Sequence, residues 1–168
     1  MQTNTHLVAV YGTLKRAYGN HRVMEQAGGV YLTTTETEKP LLMGDGGFPM
    51  IFEPTEELQR FAVPCQVEVF RVRDLEPLDL LEGHPNFYHR EQIQVVHFKE
   101  PVWLYLGPPL SDLQSIPRNF LSSGHWDPRK IEEPIRDPRT VQERNGGEEE
   151  SEGEYEEETL KGGRVARL

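Results

Sequence analysis

The stretch Leu7-Val8-Ala9-Val10-Tyr11-Gly12-Thr13-Leu14-Lys15-Arg16 opens with five consecutive apolar or aromatic residues and breaks at a single glycine. Apolar residues at successive positions predict a strand covered on both faces, and Gly12 permits backbone angles closed to other residues, so the strand delivers a tight loop. Such a turn can leave consecutive backbone N–H groups facing one concavity. Beyond it Asn20 is placed to cap a short helix over His21 to Ala27, which Gly28 and Gly29 end. Strand, glycine turn and helix also open phosphate and dinucleotide sites. Those need several glycines before a Lys-Ser or Lys-Thr pair, or three glycines over six positions. Gly12 stands alone, which excludes both. By itself it reads as an ordinary turn between a core strand and the next element; a second cluster further along changes that reading.

Working outward, Val30 to Thr35 is rich in β-branched residues and predicts a strand, and Lys39 to Met43 predicts another. Three glycines within Gly44-Asp45-Gly46-Gly47 make the run to Pro49 a loop, and Met50-Ile51-Phe52 a short apolar piece after it. Pro54 to Arg60 is polar and turn-like. From Ala62 to Val72 the chain alternates, with Val63, Cys65, Val67 and Val69 on one side and Gln66 and Glu68 on the other, which predicts a half-buried strand. Asp74 caps a short helix that tolerates Pro77 near its start, runs to Glu82 and ends at Gly83, with Pro85 blocking continuation. His89 to Phe98 and Val102 to Leu106 complete the strands. Residues 110–127 have room for one small helical turn.

The chain has 168 residues, enough for one domain with a real core. A single cysteine, Cys65, excludes an internal disulfide, and no Cys/His spacing fits a structural zinc. Pointing to the core, Cys65 reads as a small hydrophobe and not a nucleophile. A net charge of −10 argues against a nucleic-acid binder, which would show a basic stripe. The absence of an eighteen-residue apolar run and of a basic, apolar leader predicts a soluble, cytoplasmic protein without membrane contact. Prolines 128, 134 and 138 break regular structure, and eight glutamates with glycine and serine over 146–158 have the composition of a disordered acidic tail. The expected division is a domain over 1–127 and a Pro-rich segment with that tail over 128–168. The tail reads as a solubilising appendage or as an arm that binds a protein partner.

The deciding cluster is Leu78-Asp79-Leu80-Leu81-Glu82-Gly83-His84-Pro85-Asn86-Phe87-Tyr88-His89-Arg90. Glu82 falls where a helix ends, and the partial negative charge there disfavours a carboxylate. That field, with partial burial against Phe87 and Tyr88, biases its pKa upward and suits it to general-base work near neutrality. The competing reading is a solvated surface glutamate. His84 and His89 flank the cluster outside any ligand pattern and read as surface residues.

Taken together, Val10 to Arg16, Asn20-His21, Gly46-Gly47-Phe48-Pro49, Leu78-Asp79 to Leu81-Glu82-Gly83, Tyr88 and Arg90 resemble the gamma-glutamylcyclotransferase superfamily, closest to its gamma-glutamylamine cyclotransferase branch. The likeness runs from about residue 6 to Leu106 and leaves out the tail. It implies an α+β domain, a small mixed β-barrel flanked by short helices, and an enzyme that releases 5-oxoproline from a small gamma-glutamyl compound without cofactor or metal. By the same resemblance Glu82 is the acid/base. The backbone of Tyr11, Gly12, Thr13 and Leu14 holds the gamma-glutamyl group and offers N–H donors to an oxyanion. Tyr88 lines or closes the pocket, and Arg90 is structural. One departure is Ala17, where members of the family commonly carry glycine. The rival from another class is a protein that keeps fold and pocket to bind a small ligand, or a partner through the tail, without turnover.

Overall fold

The computed structural model describes residues 4–110 and 119–129, and the backbone of 135–136. The acidic tail lies outside the described residues. Strand β1 (His6–Val10) is the centre of a five-stranded sheet. It pairs antiparallel with β5 (Gln66–Val72), which pairs with β2 (Val30–Glu36), and parallel with β7 (Val102–Leu106), which pairs with β6 (His89–Ile93). Helix α1 (His21–Gln26) follows the first loop, and α2 (Glu76–Glu82) joins β5 to β6. A second sheet has the order β4-β3-β8-β9, from β3 (Leu42–Asp45), β4 (Pro49–Phe52), β8 (Asn119–Phe120) and β9 (Ile135–Arg136). Among the described residues no helix is long and apolar enough to cross a membrane.

Both faces of the central strand are covered, as its unbroken apolar run requires. Val8 and Val10 pack with Phe70, Val72 and Tyr105 on one side, while Ala9 and Tyr11 pack with Val67, Val69 and Leu104 on the other. The alternation of β5 is therefore not that of a half-buried strand. Its second face is buried too, and Glu68 is accommodated there because its carboxylate accepts the Arg16 N–H at 2.9 Å and faces Arg16 Nε at 3.3 Å. Cys65 sits in the core, where burial pushes its thiol up to about 12 and keeps it protonated.

Three further expectations are corrected. β3 continues through Gly44 and Asp45, which the glycine count assigned to a loop, because these residues pair with Met50 and Pro49 across a hairpin. The strand expected to reach Phe98 stops at Ile93; His97 adopts φ 72°, a left-handed conformation that cannot continue a strand. Lastly, the five-stranded sheet is not a closed barrel. Its edges meet where the end of β2 runs past the segment after β6, through the bridge Thr37–Val95, the Val96 N–H to Glu36 carbonyl bond of 2.9 Å, the Glu38 N–H to Gln94 carbonyl bond of 3.1 Å and the Thr35 Oγ1 to Val96 carbonyl bond of 2.8 Å, and the turn at His97 ends this short seam. β8 and β9 were not anticipated, since two-residue strands carry no periodicity. β9 lies in the segment assigned to the Pro-rich stretch.

Candidate active site

β1 ends at Val10, and residues 11–20 form a loop held by its own bonds. The Lys15 N–H donates to the Gly12 carbonyl at 3.1 Å, the Asn20 N–H to the Thr13 carbonyl at 3.1 Å, and Asn20 Nδ2 to Thr13 Oγ1 at 2.8 Å. Asn20 is thus not the side-chain cap that its position suggested; its amide is engaged across the loop and makes no capping bond. The far side of the loop is anchored independently. Lys15, buried between the rings of Tyr18 and Trp126, donates from Nζ to the Trp126 carbonyl at 2.7 Å. Among the described residues, nothing accepts the N–H groups of Gly12, Thr13 and Leu14. These three residues line a cavity of about 310 Å³.

Two glycine arguments change places here. Gly12 does not have positive φ; the reason for glycine is space, since a Cβ there would lie 2.9 Å from Pro49 Cγ. The left-handed position is Ala17, at φ 67°. An L-residue held there is strained by about 1 kcal/mol or more. Ala17→Gly is therefore expected to stabilise the fold by roughly 0.5–1 kcal/mol, after allowing for the looser unfolded chain that glycine gives. Denaturant midpoints at constant slope check it, and a lower midpoint for the glycine variant would refute the strain.

From the opposite wall α2 brings Glu82. Gly83 ends this helix at φ 66°, with the His84 N–H on the Asp79 carbonyl at 2.9 Å, and the chain turns back so that the Tyr88 N–H meets the Glu82 carbonyl at 3.1 Å. Asp74 begins the helix by accepting the Glu76 N–H at 2.9 Å. The Glu82 side chain is half-buried in the cavity, and among the described residues its carboxyl has no hydrogen-bond or ion-pair partner. Burial raises its pKa from 4.5 to about 7. The cause is desolvation by burial in the cavity.

Three tyrosines complete the interior wall. The Tyr11 hydroxyl donates to the Tyr105 carbonyl at 2.7 Å, that of Tyr88 to the Pro49 carbonyl at 3.0 Å, and that of Tyr105 to Asp79 Oδ1 at 2.7 Å. Burial first, and then for each the nearby Glu82 charge among lesser causes, pushes all three phenols above their ordinary range. They stay protonated, with their donors already engaged in holding walls together. Glu82 is left as the cavity group poised to exchange a proton near neutrality.

The structure brings Tyr11, Gly12, Thr13, Leu14, Glu82 and Tyr88 to one cavity. Arg90 stands apart from it, its guanidinium clasping Asp79 at 2.9 and 3.3 Å over the Trp103 ring. His84 is half-buried rather than a surface residue, because its Nδ1 accepts the Arg90 N–H at 3.1 Å. Phe48, Pro49 and Tyr105 also line the cavity and were not singled out individually. Phe48 and Pro49 had a signal in the Gly-Gly-Phe-Pro motif. Tyr105 had only its place in an apolar strand, which marks a face and no partner.

A Drosophila melanogaster protein named as a putative gamma-glutamylcyclotransferase is 32% identical over 134 residues, covering 73% of this chain and 82% of its own. A Vibrio cholerae protein of the same name is 29% identical over 122 residues, 72% of this chain and 95% of its own. Among solved structures, a mouse AIG2-like protein superposes with a TM-score of 0.53 at 19% identity, over 77% of this chain and 99% of that one, a likeness of fold alone. Residues 8–128 match the family described as "Gamma-glutamyl cyclotransferase, AIG2-like", and the match takes in the Gly12 loop and Glu82 together. The chain belongs to the AIG2-like gamma-glutamyl cyclotransferase family.

Proposed function

We propose that this protein releases 5-oxoproline and a free amine from gamma-glutamyl amines, with Glu82 moving the proton. The observation that carries the reading is an unpaired, half-buried carboxyl with a pKa of about 7, in one cavity with Gly12, Thr13 and Leu14, whose N–H groups nothing in the described residues accepts. In the reaction the ionised Glu82 takes a proton from the substrate's α-ammonium. The freed nitrogen attacks its own γ-carbonyl carbon, forming the ring C–N bond. The N–H groups of Gly12, Thr13 and Leu14 stabilise the oxyanion that develops, and as fixed dipoles they need no reorganisation to do so. Protonated Glu82 then returns the proton to the departing nitrogen as the original C–N bond breaks, and the regenerated carboxylate passes the second proton from the ring nitrogen to the released amine, leaving a neutral lactam N–H and an ammonium. No water is consumed and the carboxylate is regenerated.

Cyclisation asks little more of a protein. Holding the glutamyl chain so that nitrogen meets carbonyl makes the step intramolecular, where orientation can supply on the order of 7 to 11 kcal/mol. The three tyrosine hydroxyls support the reading by their restriction, since each donates to an acceptor within the protein. The test is 5-oxoproline release by the purified chain from gamma-glutamyl methylamide, other gamma-glutamyl amides and gamma-glutamyl dipeptides. Turnover of the amides is expected. Binding by calorimetry without release from any of them would replace the enzyme by a binding protein of the same fold.

A further inference from the structure

We propose that Phe48, Phe87 and Leu81 form a leaving-group subsite selective for gamma-glutamyl compounds whose amine carries an uncharged apolar or aromatic body; this rests on the cyclotransferase reading above. The three side chains line the mouth of the cavity, and each is unusually exposed for its type: Phe48 by 39%, Leu81 by 40% and Phe87 by 47%. Among the described residues only Val30, Leu32 and Leu80 are comparably exposed large hydrophobics, and Leu80 adjoins Leu81 on α2. Half of a small set gathering at one opening is the mark of a surface that meets something apolar.

The rim is built, not incidental. Phe48 sits at the tip of the β3–β4 hairpin, where Asp45 Oδ1 accepts the Gly47 N–H at 3.1 Å and Gly47 takes φ 107°. Phe87 comes from the opposite connection, with its N–H on the Gly83 carbonyl at 2.9 Å and its ring edge-on to Tyr88 at 5.0 Å. The two rings stand 6.4 Å apart, tilted by 48°. Tyr11, Tyr88 and Tyr105 are buried, so a glutamyl group held inward against them would leave the departing amine outward, against this rim.

Charge points the same way. No lysine or arginine lines the cavity among the described residues, and its one acid, Glu82, is unpaired. A carboxylate on the departing amine, as in gamma-glutamyl dipeptides, would lose solvation without gaining a partner and would face that acid.

The experiment compares kcat/KM for gamma-glutamyl phenethylamide, gamma-glutamyl methylamide and gamma-glutamylglycine with the full chain. The phenethylamide is expected to exceed the methylamide about tenfold or more, the scale on which a hydrophobic pocket discriminates, with gamma-glutamylglycine lowest. In Phe48→Ala and Phe87→Ala that ratio should fall to within about threefold of one, chiefly through KM for the phenethylamide, and Phe87→Leu should restore most of it. Because the ratio is internal to each protein, partial unfolding of a variant does not imitate the effect. A wild-type ratio near one, a ratio unmoved by both alanine variants, or preference for gamma-glutamylglycine would overturn the subsite. If no compound yields 5-oxoproline, the cyclotransferase reading fails separately. Calorimetry then judges the rim: phenethylamide binding about tenfold tighter than methylamide upholds it, and equal or absent binding overturns it.

Discussion

Glu82→Gln is expected to remove turnover by about 10² to 10⁴ while leaving the protein more stable than wild type above neutral pH. The first effect follows because an amide preserves shape but cannot take the ammonium proton. The second follows from the direction of the shift. Burial raises the folded-state pKa from 4.5 to about 7, so the folded protein favours the protonated acid. At pH below 4.5 both folded and unfolded chains are protonated, and the group imposes no penalty. Between 4.5 and 7 the unfolded chain ionises first, and wild-type stability falls as pH rises; beyond 7 the penalty is constant, at most about 3 kcal/mol. The glutamine variant has no such dependence. Its melting temperature should therefore gain on wild type across that window, and the gain should vanish at pH 4.

Wild-type kcat/KM should meanwhile rise with pH up to about 7, as the carboxylate forms. Rates, 5-oxoproline yield and melts of both proteins from pH 4 to 9 decide the matter. A variant that turns over like wild type would remove Glu82 from the mechanism. A variant that loses turnover with no pH-dependent gain in stability would keep the base and reject the raised pKa. A group that destabilises the fold where it works is the usual trade between stability and activity.

How much of this was legible in the sequence depends on which physics each residue carries. β1, β7 and the two helices were legible because an unbroken apolar run, a glycine end and a proline stop are local signals, and Gly83 adopts the left-handed cap its position predicted. Glu82 was legible as a position, a carboxylate at a helix end. Burial against Tyr88 was part of that reading too, but Tyr11 and Tyr105, which line the same cavity from a loop and from β7, were not, because no spacing brings them to Glu82. The same blindness hid Asp79, whose carboxylate joins Arg90 to the Tyr105 hydroxyl from 11 and 26 residues away. The burial of Glu68 depends on Arg16, 52 residues distant, and so looked like an exposed face. Gly12 was recognised for the wrong reason, since conformational freedom is a property of one residue whereas close approach needs a partner.

That partner makes Gly12 the sharpest test of the loop. Gly12→Val is expected to destabilise the fold by roughly 1–3 kcal/mol, the range for overfilling a packed site. The added Cβ would lie 2.9 Å from Pro49 Cγ, and Pro49 has little room to yield. It pairs with Asp45 across the hairpin, and its carbonyl holds the Tyr88 hydroxyl. The Gly12 loop is the freer party on one side only, because Glu68 and the Trp126 carbonyl fix Arg16 and Lys15 behind it. Strain should thus fall on residues 12–14, whose N–H groups are the proposed oxyanion donors. Gly12→Ala separates the two consequences. Its single methyl should shift the melting temperature by a few degrees at most, yet displacing donors by even 1 Å is enough to lower kcat by about 10². Melts and 5-oxoproline kinetics on both variants provide the measurement. An alanine variant that keeps wild-type kcat would mean that these N–H groups do not meet the developing charge. A valine variant that melts and turns over like wild type would show that Pro49 and the loop are not in contact at all.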